Sequence, residues 1–195
     1  MTTFVLATAN PHKTEEIRAV LSDLGVTLLA RPDDVPDVEE SESTLQGNAL
    51  LKARALVDAT GVAAIADDTG LFVEALDGRP GVFSARYARE GASYEENVAK
   101  LLEELADVGA LERGASFRTV IAVVYPSGES LWVEGVLEGC IAVAGRGTNG
   151  FGYDPVFEPS DGGGRTLAEF STEEKNATSH RARALHALAA ALAAS

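Results

Sequence analysis

The stretch Ile65-Ala66-Asp67-Asp68-Thr69-Gly70-Leu71 puts two adjacent carboxylates at the end of a short apolar run, Val62 to Ala66, and follows them with a hydroxyl and a glycine. The run reads as a buried strand. Desolvating a carboxylate costs far more than apolar neighbours return, so a buried strand ends in two acids only where something compensates them. The heptapeptide alone leaves two readings open. Asp and Gly punctuate chains for backbone reasons, which makes this a solvated turn. Alternatively, a cation makes the pair tolerable. Hard oxygen ligands suit Mg²⁺, which typically arrives with substrate phosphates.

Upstream, Phe4 to Ala7 reads as a first buried strand. Asn10 then suits a helix N-cap and Pro11 its first turn, where the missing donor is harmless. Ile17, Val20, Leu21 and Leu24 recur at helical spacing on one face, and Gly25 stops the helix. A helix N-terminus with Lys13 in its first turn gathers backbone donors, a positive dipole end and an ammonium, which together suit an anion. Capping explains Asn10 and Pro11 equally well. Val26 to Ala30 is a second strand, and Arg31 to Glu42 a polar loop ending in Glu39-Glu40-Ser41-Glu42. A helix starts near Ser43 or Thr44, buries Leu45, Ala49, Ala53 and Leu56, and closes at Gly61. Acids ahead of a helix favour its dipole, which accounts for Glu40. Its loop can also meet the Asp67-Asp68 strand end.

Downstream, Leu71 to Leu76 reads as a strand and Asp77 to Gly81 as a turn. Ser93 and Glu96 form a capping box for a helix with Val98, Leu101, Leu102 and Leu105 inward. Phe117 to Tyr125 and Leu131 to Val143 form a hairpin about Pro126-Ser127-Gly128; the first is apolar on both faces and belongs centrally in a sheet. Gly145 to Gly150 matches the dinucleotide fingerprint G-x-G-x-x-G, but no helix opens after it, so that reading fails on context. Phe151-Gly152-Tyr153-Asp154-Pro155 instead presents aromatics and an acid in a glycine-framed loop. Gly162-Gly163-Gly164 lacks the G-K-[ST] of a P-loop. Ser171 and Glu174 form a second capping box, followed by Lys175. Ser179 caps a last helix with Ala182, Leu185, Leu188 and Leu192 inward. His180 and Arg181 in its first turn oppose the helix dipole, so stability does not explain them and binding is the alternative. His186 reads as surface or packing.

The 195 residues suffice for one sizeable core. No linker or repeat divides them, and a single domain over 1–195 is expected. A net charge of −14 argues against non-specific nucleic-acid binding. No apolar run approaches the ~18 residues of a membrane span, and the N-terminus lacks a signal peptide's basic region. A lone Cys140 excludes an internal disulfide and fits a reducing cytoplasm. No Ser-His-Asp order or Cys-His cluster stands out, and the two acids are adjacent rather than alternate as in a D-x-D phosphatase motif.

In order along the chain, Thr8-Ala9-Asn10-Pro11-His12-Lys13 (as T-x-N-x-x-K), Glu40 ahead of Thr44-Leu45-Gln46-Gly47-Asn48-Ala49, Ala66 to Leu71, Pro80 to Tyr87, Gly150 to Pro155, Glu173 to Asn176 and Ser179-His180-Arg181 resemble the inosine triphosphate pyrophosphatase family, also called XTP/dITP pyrophosphatases. Departures are small: Thr69 stands where serine is common, Leu45 where phenylalanine is, Asn149 where glycine is. The resemblance implies an α/β fold, a long twisted mixed sheet flanked by helices in two lobes with a nucleotide cleft between them. It implies hydrolysis of ITP, dITP and XTP to monophosphate and pyrophosphate, with Mg²⁺, by a homodimer; the lone Cys140, the net charge and the lack of a long apolar run add the expectation of a cytoplasmic protein that binds neither nucleic acid nor membrane. Asp68 would be general base and metal ligand, and Glu40 the second ligand. Thr8, Ala9, Asn10, Pro11, His12, Lys13 and Thr69 would hold the triphosphate. Phe151, Gly152, Tyr153, Asp154, Lys175, His180 and Arg181 would hold the base. The rivals are a non-catalytic nucleotide sensor, against which retention of Asp68 and Glu40 argues, and a metal-dependent phosphatase releasing orthophosphate.

Overall fold

Alternation of buried side chains on short strands, with helices between them, sets the layering. In the computed structural model, which describes residues 2–8, 10–21 and 25–194, one sheet holds seven strands in the order β2-β1-β3-β5-β6-β7, with β4 attached to β3. The strands are β1 (Thr3–Leu6), β2 (Thr27–Leu29), β3 (Ala64–Val73), β4 (Pro80–Gly81), β5 (Gly114–Val124), β6 (Ser130–Ile141) and β7 (Phe157–Pro159). The helices are α1 (Pro11–Leu21), α2 (Leu45–Thr60), α3 (Tyr94–Glu104), α4 (Thr172–Thr178) and α5 (His180–Ala193). β1 is parallel to both β2 and β3, whereas β4 and β7 pair antiparallel, so the sheet is mixed as expected. Among the described residues no helix is long and apolar enough to cross a membrane.

The chain divides into two compact units. The first comprises Met1–Asp68, Thr119–Gly135 and Arg181–Ser195; the second Thr69–Arg118 and Val136–His180. β3, β5 and β6 each run from one unit into the other. In the first unit, Phe4, Leu6, Ile65, Ile121 and Val123 pack with Ile17 and Leu21 of α1 and Leu185 and Leu188 of α5. The intervening residues Val5, Ala64, Ala66 and Val124 pack instead with Ala53, Leu56 and Val57 of α2. Period-two alternation therefore gives this unit a helix layer on each sheet face. The second unit's core joins Leu71, Val73, Phe117 and Leu137 to Leu101 and Leu105 of α3 and to Tyr153, Val156 and Phe157.

Local signals were read correctly. Thr44 caps α2, its side chain accepting from the Gly47 N–H, and Gly61 ends the helix in the left-handed region. The capping boxes at Ser93–Glu96 and Ser171–Glu174 form. Two strand readings need correction. β3 does not stop at the acids but passes through them to Val73, and Glu74 to Leu76 form a 3-10 turn rather than the end of a strand. Leu24, expected on the face of α1, lies outside the described residues.

Buried Arg113 was not anticipated. It donates from Nε to the Val108 carbonyl at 3.1 Å, from Nη2 to Leu105 at 2.7 Å and from Nη1 to Ala142 at 3.3 Å. It thus ties the turn after α3, at Leu105 and Val108, to the residue that follows β6, Ala142. Hydrogen bonds from a charged donor are worth ~1.5–3 kcal/mol each. Arg113→Met, which keeps the aliphatic stem, is expected to lower unfolding free energy by ~2–4 kcal/mol in a urea titration. A loss under ~0.5 kcal/mol would show that water replaces the guanidinium without cost.

Candidate active site

β1 and β3 are parallel neighbours in register Val5↔Ala64 and Leu6↔Ile65. β1 leads through α1 to β2 on its other side. The chain therefore leaves this pair in opposite directions, the topological switch point where open α/β sheets bind ligands beyond the strand ends. β1 ends at Leu6, and β3 continues for eight residues past Ile65, beginning with Ala66, Asp67 and Asp68. The two acids lie at this overhang. Both are buried, 3% and 5% exposed, which removes the solvated-turn reading. Being adjacent in a strand, they point to opposite faces, and each face supplies its own cation.

On the α2 face, Lys52 Nζ lies 3.0 Å from Asp68 Oδ1 and 2.6 Å from Glu40 Oε1. Asn48, one turn earlier on the same helix, donates from Nδ2 to Asp68 Oδ2 at 3.2 Å. Burial pushes the Asp68 carboxyl above the ordinary range and Glu40 adds to this, while Lys52 and Lys13 pull it back. Burial disfavours the Lys52 ammonium, yet Asp68, Asp67 and Glu40 hold its proton more tightly than usual. Glu40 and Asp68, expected from sequence as a pair, thus meet through a shared cation. Lys52 and Asn48 were missed, although their four-residue spacing on a helix whose inner face is otherwise apolar signals a polar pair with a common target.

On the other face, Asp67 Oδ2 accepts from Lys13 Nζ at 2.9 Å and from Arg181 Nε and Nη2 at 3.4 and 3.3 Å. Arg181, only 2% exposed, also pairs through Nη1 with Glu16, one turn along α1 from Lys13. Burial pushes the Asp67 carboxyl up, but Lys13, Arg181 and Lys52 outweigh it and hold the group well below the usual carboxylate range. Its Oδ1 has no hydrogen-bond partner among the described residues. The carboxylates of Asp67 and Glu16 explain why a cation tolerates the first turn of α5. The misplacement that pointed to binding is accounted for within the fold.

The loop after β1 is ordered by its own polar groups. The Asn10 N–H donates to Thr8 Oγ1 at 3.1 Å, and Asn10 Oδ1 accepts the Lys13 N–H at 3.5 Å, a long capping bond. Pro11 opens α1. Thr8 and Thr14 line a cavity of about 520 Å³, together with Arg31 and Asp37. Ala9 and the side chain of His12 lie outside the described residues.

The second unit holds the other expected site residues. Thr69 follows Asp68 in β3, half-buried. Asp154 Oδ2 accepts from Lys175 Nζ at 2.8 Å and from the Phe151 N–H at 2.9 Å. A Cβ at Gly150 would lie 2.1 Å from that same oxygen, so only glycine leaves room for the carboxylate. Lys175 Nζ also sits 4.5 Å from the centre of the Phe151 ring, a cation–π contact. Buried Tyr153 donates its hydroxyl to the Ser84 carbonyl at 2.9 Å, and Gly152 provides the turn between the two aromatics. His180 stacks on Phe117 with ring centres 4.5 Å apart. Phe151, Asp154 and Lys175 are therefore one cluster, Tyr153 props the loop, and His180 lies on a separate aromatic platform.

The chain matches the Ham1 family model over residues 4–191. It is 52% identical over 187 residues to a dITP/XTP pyrophosphatase of Geobacter sulfurreducens, covering 95% of this chain and 94% of the relative. It is 48% identical to a dITP/XTP pyrophosphatase of Streptomyces avermitilis, over 96% of both. A HAM1 protein from Coxiella burnetii has a similar structure, with a TM-score of 0.92 and 43% identity over the full length of both chains. The relatives that this chain matches over nearly its whole length are named dITP/XTP pyrophosphatases. The chain belongs to the Ham1 family.

Proposed function

We propose that this protein hydrolyses deaminated purine nucleoside triphosphates (ITP, dITP and XTP) to the monophosphate and pyrophosphate, with Asp68 as general base. The observation that carries the proposal is the Glu40–Lys52–Asp68 bridge at the end of the β1–β3 pair, with Asp68 buried and the other two half-buried. Water attacks the α-phosphorus and forms a new P–O bond there, the bond from that phosphorus to the α–β bridging oxygen breaks, and pyrophosphate leaves with the electron pair. Asp68, whose carboxyl is pushed upward by burial, takes the proton from the attacking water, and the upward push makes it a stronger proton acceptor. Lys13 and Lys52 supply fixed positive charge to the phosphates of an otherwise acidic protein.

The donor set fits Mg²⁺: Glu40 and Asp68 offer hard carboxylate oxygens that already share one cation position, and Mg²⁺ is commonly held by one or two carboxylates plus substrate phosphates. Those two residues would hold it, and its charge would neutralise phosphate oxygens. Thr8 to Lys13 and Thr69 are assigned to the triphosphate. Phe151 to Asp154, Lys175, His180 and Arg181 are assigned to the base, with Arg181 fixed in place by Asp67 and Glu16. The homodimer and the cytoplasmic setting belong to the same proposal, the first resting on the family resemblance and the second on the lone Cys140.

The test is a chromatographic time course with ITP and Mg²⁺. IMP and pyrophosphate are expected without IDP. Accumulation of IDP would replace this reading with a phosphatase, and absence of turnover with a sensor. A second expectation concerns Phe151, half-buried and backed by Lys175. Stacking on an aromatic is worth ~1–3 kcal/mol per base, so Phe151→Ala should lower kcat/KM for ITP by ~5–150-fold, mostly through KM. Inhibition by pyrophosphate should be unchanged in that variant. Equal weakening of both would move Phe151 away from the base.

A further inference from the structure

We infer that Asn48 is a positioning residue for the reaction: one buried carboxamide fixes both the Asp68 carboxylate and the loop that carries Glu40. The inference rests on the proposed role of Asp68. Asn48 is 0% exposed and lies in the first turn of α2. Its Nδ2 donates to Asp68 Oδ2 at 3.2 Å, and its Oδ1 accepts the Glu42 N–H at 3.0 Å. A carboxylate has nothing to donate and a backbone N–H nothing to accept, so only this orientation of the amide satisfies both neighbours.

Two features make the arrangement more than a buried amide finding partners. First, both oxygens of Asp68 are taken by the same helix, Oδ2 by Asn48 and Oδ1 by Lys52 one turn on. That leaves the carboxylate one orientation. Second, the Glu40 loop is held at two points, the side chain of Glu40 by Lys52 and the backbone of Glu42 by Asn48. The close approach is built in at Gly47, where a Cβ would lie 2.7 Å from the Cβ of Glu42. The sequence Gly47-Asn48 thus admits the loop and then ties it to the base. Leucine at 48 fills the same volume and does neither job. Aspartate still accepts from Glu42 but sets a like charge against Asp68.

The experiment compares the full-length wild type, Asn48→Leu, Asp68→Asn and the double variant in steady-state kinetics with ITP and Mg²⁺. Asn48→Leu is expected to lower kcat by ~10-fold or more, a ~1.4 kcal/mol effect on the barrier, with KM within ~3-fold. Residues that act through one another are non-additive. In the Asp68→Asn background the same substitution should therefore cost less than ~2-fold. If Asn48→Leu fails to fold, Asn48→Asp carries the same test, because its kcat loss should shrink when Asp68→Asn removes the opposing charge. A kcat within ~2-fold of wild type, or equal losses in both backgrounds, overturns the role of Asn48 alone. A wild type that leaves ITP intact overturns it together with the reading it rests on.

Discussion

Asp68→Asn is expected to lower kcat for ITP by at least ~10², the scale of losing a positioned general base, while the protein stays folded. Asparagine keeps the shape of the side chain and an oxygen for Lys52, now 3.0 Å from Asp68 Oδ1. Its amide nitrogen then meets the Nδ2 of Asn48, a donor against a donor, so a urea titration of the variant accompanies the kinetics. Lys52 retains Glu40 at 2.6 Å, so no cation is stranded. What disappears is the proton acceptor and one negative charge. Lys52→Met provides the complementary result. It leaves Glu40 and Asp68 facing one another without their shared cation, and both should then be harder to ionise. Its turnover should fall by a comparable factor, whereas Arg54→Met, an exposed cation two residues along α2, should leave kcat unchanged. Steady-state kinetics at saturating Mg²⁺ checks all three. Near-normal turnover of Asp68→Asn removes Asp68 from the role of base. An effect of Arg54→Met equal to that of Lys52→Met reduces Lys52 to a contribution to net charge.

What the sequence made legible follows the range of the interactions concerned. The capping boxes at Ser93 and Ser171 involve groups three residues apart, and each forms as the sequence predicts, while the start of α2, left between Ser43 and Thr44, is settled by the cap at Thr44. The inward faces of α2, α3 and α5 follow from helical spacing alone. β3 was cut short because its two acids look intolerable in a buried strand. The cations that make them tolerable come from α1, α2 and α5, and Arg181 is 114 residues away from Asp67. Nothing local announces that pairing. The same distance hid the reason for Arg181 in a helix first turn. Two lobes are expected from the family resemblance alone and not from any local signal, because the boundaries of the two units run through β3, β5 and β6 rather than through linkers. Lys52 is different: its four-residue spacing from Asn48 on an otherwise apolar helix face is a local signal.

Arg181→Met is expected to lower unfolding free energy by ~3–5 kcal/mol, the cost of removing one partner of a buried ion pair, against typical totals of 5–15 kcal/mol. Four charges close a circuit here. Lys13 and Glu16 sit one turn apart on α1. Lys13 reaches Asp67 at 2.9 Å, Arg181 reaches Asp67 at 3.3 Å, and Arg181 pairs with Glu16. The four sum to zero, and Asp67 and Arg181 are almost wholly buried. Removing the guanidinium leaves Glu16 without that partner and Asp67 with Lys13 as its remaining close cation. Asp67→Asn should be costly for the converse reason, since it takes from a buried guanidinium one of the two carboxylates of the circuit. Once either partner is gone, removing the other should cost much less. The double variant should therefore fall short of the sum of the singles by more than ~1 kcal/mol. Urea denaturation of the three variants measures this directly. Additive losses, or single losses under ~1 kcal/mol, would mean that solvent screens the circuit and that Arg181 is held by packing alone. The magnitude also governs how specificity is probed. A variant that loses several kcal/mol of stability cannot report on recognition of a base. Arg181→Lys, which keeps a cation for Asp67 and loses the planar fork, is the substitution to compare on ITP and ATP. A narrowed preference for ITP at preserved stability would place Arg181 at the base, and an unchanged preference would leave it as the anchor of α5.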